Sequence, residues 1–409
     1  MSKIIFSNNH KSDSEVEVVE RKGKGHPDTI ADALAESLSR EYSIYTKEKY
    51  GAVLHHNFDK LGILGGKSHV EFGKGYITKP IRVIVNGRAS DRFGKEKIPL
   101  DSIVNKTILG HLTNLFPSLT KKDVKIFNFI STASSPGHNS GKDTKNSPRN
   151  YWFKPRSLGD LKELTFLVSN DTSLGCGYAP SSILERIVLL IEQELSKELF
   201  RRRNKWLGSD IKIMGVRQNK NIFLTMCIPQ IANFVDSLDE YRKNLKKIEN
   251  KINSLTSSHG LAQYNIVLNF NTRDKYDINE LYLTAIGSSI ESGDEGLVGR
   301  GNRINGLITP FKPMSMEGVS GKNPVYHVGK IYNIAAFKMA GKIFKKTNQY
   351  NEVLLISQSG RSLIDPWIIL VHMKDYKKYK KMVEDVIKTE IKKIPHITDE
   401  ILSQKVNLY

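Results

Sequence analysis

Val19-Glu-Arg-Lys-Gly-Lys-Gly-His-Pro-Asp-Thr-Ile-Ala-Asp-Ala-Leu-Ala-Glu36 passes from an extended pattern to a helical one through a single basic glycine turn. The residues before it alternate, placing Val16 and Val18 on one face of a strand. Pro27 suits a first helical turn, and Ile30, Leu34 and Leu38 then recur at i, i+4 and i+8. Such a helix start offers free N–H groups and a positive dipole end to an anion such as phosphate, and Lys22 and Lys24 strengthen that field. Asp28 has two readings: it complements the helix dipole, or it holds Mg2+ against phosphate oxygens. His26 likewise is either a cap or a donor to an anionic leaving group.

Outward from this segment, alternating apolar residues predict strands over 15–20, 53–64, 81–86, 164–169, 211–216, 222–228, 266–270, 281–286, 353–358 and 367–372. Helical spacing falls between them, near 183–195 after Pro180, 239–255, 324–339 and 375–391. Small alternating groups of both kinds indicate a mixed α+β fold built of comparable units. The expected division is 1–130 with the His-Pro-Asp motif, 131–260 with Asn-Asp-Thr-Ser, and 261–409 with the Gly-Arg and Gly-Lys loops. These boundaries are approximate, and interleaving of the units is allowed.

Bulk properties narrow the classes. The 409 residues exceed one ordinary core, and 39% apolar with 26% charged residues is too mixed for a disordered chain. No apolar run approaches the roughly 18–20 residues of a bilayer crossing, and the first ten residues show no secretory pattern. Two cysteines, Cys176 and Cys227, make neither a disulfide framework nor a zinc cage, which favours a reducing cytoplasm. The +19 formal charge invites a nucleic-acid reading. Its densest runs, 201–205, 243–251 and 374–381, lack zinc-finger or RNP-like accompaniment, and the last two read as solvated helix faces.

Three further stretches carry chemistry. Asn170-Asp-Thr-Ser-Leu-Gly-Cys-Gly-Tyr-Ala-Pro180 stands between an expected strand and an expected helix, its glycines reading as tight turning or close approach to a ligand. Asp171 there can take an ammonium or hydroxyl, and Cys176 reads as a small packing residue. Upstream, Ser134-Ser-Pro-Gly-His-Asn-Ser-Gly-Lys-Asp143, with Gly137, has the composition of an anion loop without Walker spacing. From Glu291 to Lys330, glycines crowd beside Asp294, Arg300, Arg303, Lys322 and Lys330, a set able to surround a triphosphate with a carboxylate for metal or ribose.

Taken in order, Glu20-Arg-Lys-Gly-Lys-Gly-His-Pro-Asp28, His55-His-Asn-Phe-Asp-Lys60 with Gly65-Gly66, Asn170–Pro180 and the stretch 299–333 resemble the archaeal-type S-adenosylmethionine synthetases (methionine adenosyltransferases). The resemblance implies three similar mixed α+β domains around a pseudo-threefold axis, and a homodimer with active sites between subunits. It implies that ATP and L-methionine give S-adenosyl-L-methionine, with the triphosphate cut to pyrophosphate and phosphate, Mg2+ as cofactor and K+ as a second candidate. By the same resemblance His26 is the donor near the departing oxygen, and Arg300 and Lys322 are catalytic triphosphate cations. Asp28 becomes the metal ligand and Asp171 lies near methionine and adenosine. Lys24, Asp59, Lys60, Asp294, Lys330 and Gly137 are assigned to ATP and its triphosphate. The chain departs from the bacterial and eukaryotic form at Thr29 and Tyr326, where that form has lysines, and Lys330 is offered as the replacement for the second. A catalytically weak relative serving as a binding subunit and a basic nucleic-acid-binding protein are the alternatives.

Overall fold

A computed structural model describes residues 2–8, 15–133 and 151–409, so the expected 134–143 loop with Gly137 lies outside the described residues. Helix Pro27–Tyr50 begins as its sequence requires. Pro27 occupies the first turn, and His26 is extended (φ −68°, ψ 136°) and accepts from the Asp28 N–H through its ring. The helix stops at Gly51, whose φ of +80° returns its N–H to Lys47 O. Its Ile30, Leu34 and Leu38 are fully buried.

This helix and helix Leu100–Leu115 cover a sheet ordered Val124–Asn128, Ile81–Val85, Gly62–Leu64, Gly296–Leu297. A second four-stranded sheet runs Asn265–Phe270, Asn221–Cys227, Lys212–Gln218, Val16–Lys22, and it shares a core with helices Ile183–Ser196 and Leu238–Ser258. The third runs Lys3–Ser7, Ile368–Met373, Asn351–Ile356, Leu174–Ala179, under helices Val328–Thr347 and Tyr376–Ile391. Each sheet thus has its own apolar core and two long helices, and the short helix Ile397–Leu402 adds Ile397 and Ile401 to the third. The chain interleaves them: Lys3–Ser7 and Val16–Lys22 leave the first 130 residues for the other two sheets, and Gly296–Leu297 joins the first. Among the described residues no helix is long and apolar enough to cross a membrane.

Several local expectations change. Residues 164–169 form no ladder strand. The strand lies at Leu174–Ala179, inside the glycine block read as a turn. Its glycines do permit a close approach, to helix Val328–Thr347: a Cβ at Gly175 would stand 2.3 Å from Asn333 N, and one at Gly177 2.3 Å from Phe337 N. The strand expected over 53–64 splits into His56–Asn57 and Gly62–Leu64. The helix expected from residue 324 starts at Val328, capped by the His327 ring. Strand Val16–Lys22 turns Val16 and Val18 outward, while Glu17, Val19 and Arg21 are buried. The inward charges are paired, Arg21 with Glu192 at 3.0 Å and Glu17 with Arg217 at 3.3 Å.

Candidate active site

The Gly-Lys-Gly turn is clamped edge to edge. Gly23 N–H donates to Ile211 O (2.7 Å) and Gly25 N–H to Ser209 O (2.9 Å). A Cβ at Gly23 would lie 2.5 Å from Ile211 O, so only glycine lets these backbones meet. Lys24, between them, is exposed.

Next along the chain, His26 Nδ1 accepts the Asp28 N–H at 3.2 Å, which leaves the ring proton on Nε2. Burial lowers the His26 pKa first of all. Asp210 opposes that and Lys22 adds to it, so the ring is a neutral Nε2–H donor at neutral pH. Asp210 is itself buried and takes the Ser289 N–H (3.0 Å) and hydroxyl (2.7 Å). Ser289 Oγ also lies 3.0 Å from Asp294 Oδ2, so the exposed Asp294 joins the His26 side of the site.

Asp28 divides its oxygens. Oδ2 pairs with Lys22 Nζ at 2.9 Å, and Oδ1 accepts the Leu297 N–H at 3.1 Å. The same Lys22 donates to Arg300 O (2.7 Å), which draws the Gly-Arg loop onto the helix start while the Arg300 residue remains exposed. One turn on, Asp32 Oδ1 accepts Gly299 N–H (2.9 Å), and burial raises its pKa to about 7. Arg303 braces the loop from behind, donating to Gly299 O, Gly301 O and Ser315 O.

Lys322 is 4% exposed and lies against Glu317, with Asp59 Oδ2 at 4.0 Å. Asp59 also holds the exposed Lys60 (2.7 Å). Lys330 is fully buried, its ammonium 2.6 and 2.8 Å from the two Glu36 oxygens. Tyr326, where the bacterial and eukaryotic form has a lysine, is a half-buried phenol contacting His55 Nδ1 at 2.8 Å. Asp171 is exposed on a turn fastened to the start of helix Val328–Thr347 by Asn170 Oδ1, which accepts Val328 N–H (3.0 Å). The fold therefore gathers segments 22–36, 59–60, 294–303 and 317–330 into one continuous region, with the 170–173 turn beside it.

A family model for S-adenosylmethionine synthetase (AdoMet synthetase) matches residues 4–142 and 156–405. The chain belongs to the S-adenosylmethionine synthetase family. It is 38% identical over 396 residues to the S-adenosylmethionine synthase of Saccharolobus solfataricus, covering 95% of this chain and 92% of that one. The synthases of Hyperthermus butylicus (36% over 411 residues) and Sulfolobus acidocaldarius (38% over 405) each cover 97% of this chain and 96% of theirs. A solved structure described as an unusual S-adenosylmethionine synthetase from Campylobacter jejuni superposes with a TM-score of 0.58 at 15% identity, covering 94% of this chain and 89% of that one. That likeness concerns the fold, a mixed α+β S-adenosylmethionine synthetase fold. As a member of the family the chain is an enzyme, a transferase of the methionine adenosyltransferase class.

Within this synthetase four residues escaped the sequence reading: Asp32, Glu36, Asp210 and Glu317. Asp32 and Glu36 carried one legible signal, their spacing of four and eight residues from Asp28 on a single helix. Asp210 carried none, because its partners Ser289 and Tyr282 are distant in the chain, and Glu317, five residues before Lys322, stands in an irregular loop where spacing predicts no pairing.

Proposed function

We propose that this synthetase joins ATP to L-methionine, the methionine sulfur attacking ribose C5′ as the bond from C5′ to the triphosphate breaks. The triphosphate is then hydrolysed to pyrophosphate and phosphate. The observation that carries the reading is the fastening of the Gly-Arg loop to the His-Pro-Asp helix start, Leu297 N–H to Asp28 and Lys22 to Arg300 O. It brings the His26-capped helix start, a neutral imidazole and several cations side by side.

A thioether is a neutral nucleophile and needs no general base, so stabilising the leaving group is the enzyme's main task. The Nε2–H of His26 donates to the departing oxygen. Lys322 and Arg300 neutralise the triphosphate, Lys22, Lys24 and Lys60 extend the field, and Asp59 and Asp294 orient cations and ribose. Asp171 takes the methionine ammonium or an adenosine hydroxyl. Among the described residues no three metal-capable side chains converge. A cation that takes one or two carboxylates and draws its other ligands from phosphate and water fits Asp28 at the helix start. Mg2+ held there would screen phosphate charge, with Lys22 released from Asp28 to the phosphates.

The same reading includes a homodimer and a pseudo-threefold set of domains. The three units, each one sheet with two long helices, support the second. For the first, Val18, Val216, Phe223 and Val267 form a cross-strand row on the outward face of one sheet, and Phe223 and Val267 are 40% and 37% exposed. An equivalent row on a second copy would cover it. The free cysteines, Cys176 and Cys227, support a reducing cytoplasm. The test is purified protein with ATP, methionine and Mg2+, following S-adenosylmethionine and phosphate. Absence of both products across a range of Mg2+ and K+ refutes the reading.

A further inference from the structure

We propose that Glu36 and Lys330 are a buried positioning pair for the Gly-Lys loop, Lys330 acting through Lys322 and not by touching the triphosphate. This rests on the reading above, in which Lys322 meets the triphosphate.

Helix Pro27–Tyr50 carries acids at Asp28, Asp32 and Glu36, one turn apart and about 6 Å along the axis. Each accepts a backbone N–H from a loop 267 to 285 residues away: Leu297 (3.1 Å), Gly299 (2.9 Å) and Gly321 (3.0 Å). Ser39 continues the series by donating to Lys322 O (3.1 Å). The two cation-bearing loops are thus held in register along one helix.

Glu36 alone among these acids is bound at both oxygens by a fully buried ammonium, that of Lys330. Two buried charges in contact hold each other ionised, and either one left alone is strongly unfavourable. Lys330 therefore lies on both oxygens of the carboxylate that accepts Gly321 N–H, and an ion-paired carboxylate is a strong acceptor for that bond. Gly321 has a φ of +77° and a Cβ there would lie 2.8 Å from Phe58 C, so the turn has little freedom once Glu36 holds it. Its carbonyl accepts Phe58 N–H (2.8 Å). Lys322 then enters a slot floored by Gly329, where a Cβ would stand 2.9 Å from its ammonium. A shift of the Gly321 turn is a shift of the Lys322 charge. A Lys330 ammonium reaching for phosphate would have to abandon Glu36.

The test uses Lys330→Met, Glu36→Gln, the double variant, and Lys330→Met in a Lys322→Met background, each measured for kcat, KM for ATP and Tm. Lys330→Met is expected to lower kcat about a hundredfold, the scale for loss of one preorganised charge. The double variant, neutral and similar in shape, is expected to recover Tm and to return kcat to within about tenfold of wild type. In the Lys322→Met background, Lys330→Met is expected to cause no further loss of kcat. A double variant as impaired as Lys330→Met, with a raised KM for ATP, overturns the proposal in favour of direct contact. Equal kcat losses in both Lys322 backgrounds overturn it in favour of general support of the fold. If Lys330→Met does not fold, the double variant carries the comparison. A wild-type protein that makes no S-adenosylmethionine is a separate result, and it removes the functional reading together with this one.

Discussion

Replacing Lys322 with methionine removes one positive charge and keeps the bulk of its slot. The ammonium is almost withdrawn from water, between Glu317 and Asp59. Two unit charges 4 Å apart interact by about 4 kcal/mol at an effective dielectric of about 20, against about 1 kcal/mol in water. The part that grows as the triphosphate departs sets the rate, and single preorganised donors are worth roughly 3 kcal/mol, or about 10²–10³ in kcat. The Glu317 side chain is 34% exposed and can rehydrate when its partner is lost, so the melting temperature is expected to change little. Lys60→Met is the matched control: its side chain is 68% exposed, and the loss is expected to stay below about fivefold. Steady-state turnover with ATP varied at saturating methionine, beside a thermal melt of each variant, decides the matter. Lys322→Met within fivefold of wild type, or Lys60→Met the more damaging of the two, refutes the argument that the buried cation carries the leaving-group charge.

Three further outcomes follow from the structure. Burial holds His56 neutral and lowers its pKa to about 3, so the unfolded chain takes up a proton near pH 6.5 that the folded site refuses. Its contribution is therefore complete above pH 6.5 and is lost as pH falls toward 3, by up to roughly 5 kcal/mol. Urea midpoints across that window should fall, and a His56→Asn variant that leaves the slope unchanged would contradict this. Gly177→Ala puts a methyl against the backbone of helix Val328–Thr347 and should cost about 1–3 kcal/mol or more, read as a lowered Tm; an unchanged Tm would mean the strand and helix are less tightly apposed. Phe223→Glu places a charge in the outward apolar row and should dissociate a dimer in light scattering, so a variant with the wild-type mass would move the interface elsewhere.

Much of the site was legible because its chemistry is local. A strand, a basic glycine turn and a Pro-started helix occupy consecutive residues, and their caps act over one turn, so His26 and Asp28 stood out before any packing was known. Glycine was ambiguous. Gly23 and Gly25 marked a true close approach, yet Gly175 and Gly177 serve a helix and not a ligand, because a missing side chain does not say what fills its place. Periodicity likewise gave strand Val16–Lys22 two faces without saying which would be buried. Val16 and Val18 face outward, and the charges that share the inward face with Val19 are tolerable only because Glu192 and Arg217 arrive from residues far away.

By itself, then, the sequence of this synthetase determined its class of fold, its helix starts and the residue types that meet phosphate, since backbone geometry and capping depend on near neighbours. Only the tertiary structure decided the working partners: Lys22 with Arg300 O, Glu317 and Asp59 with Lys322, and Glu36 with Lys330. Most of these pairs span some 260 to 295 residues. Their cost or benefit depends on how far packing excludes water, a quantity no local pattern contains.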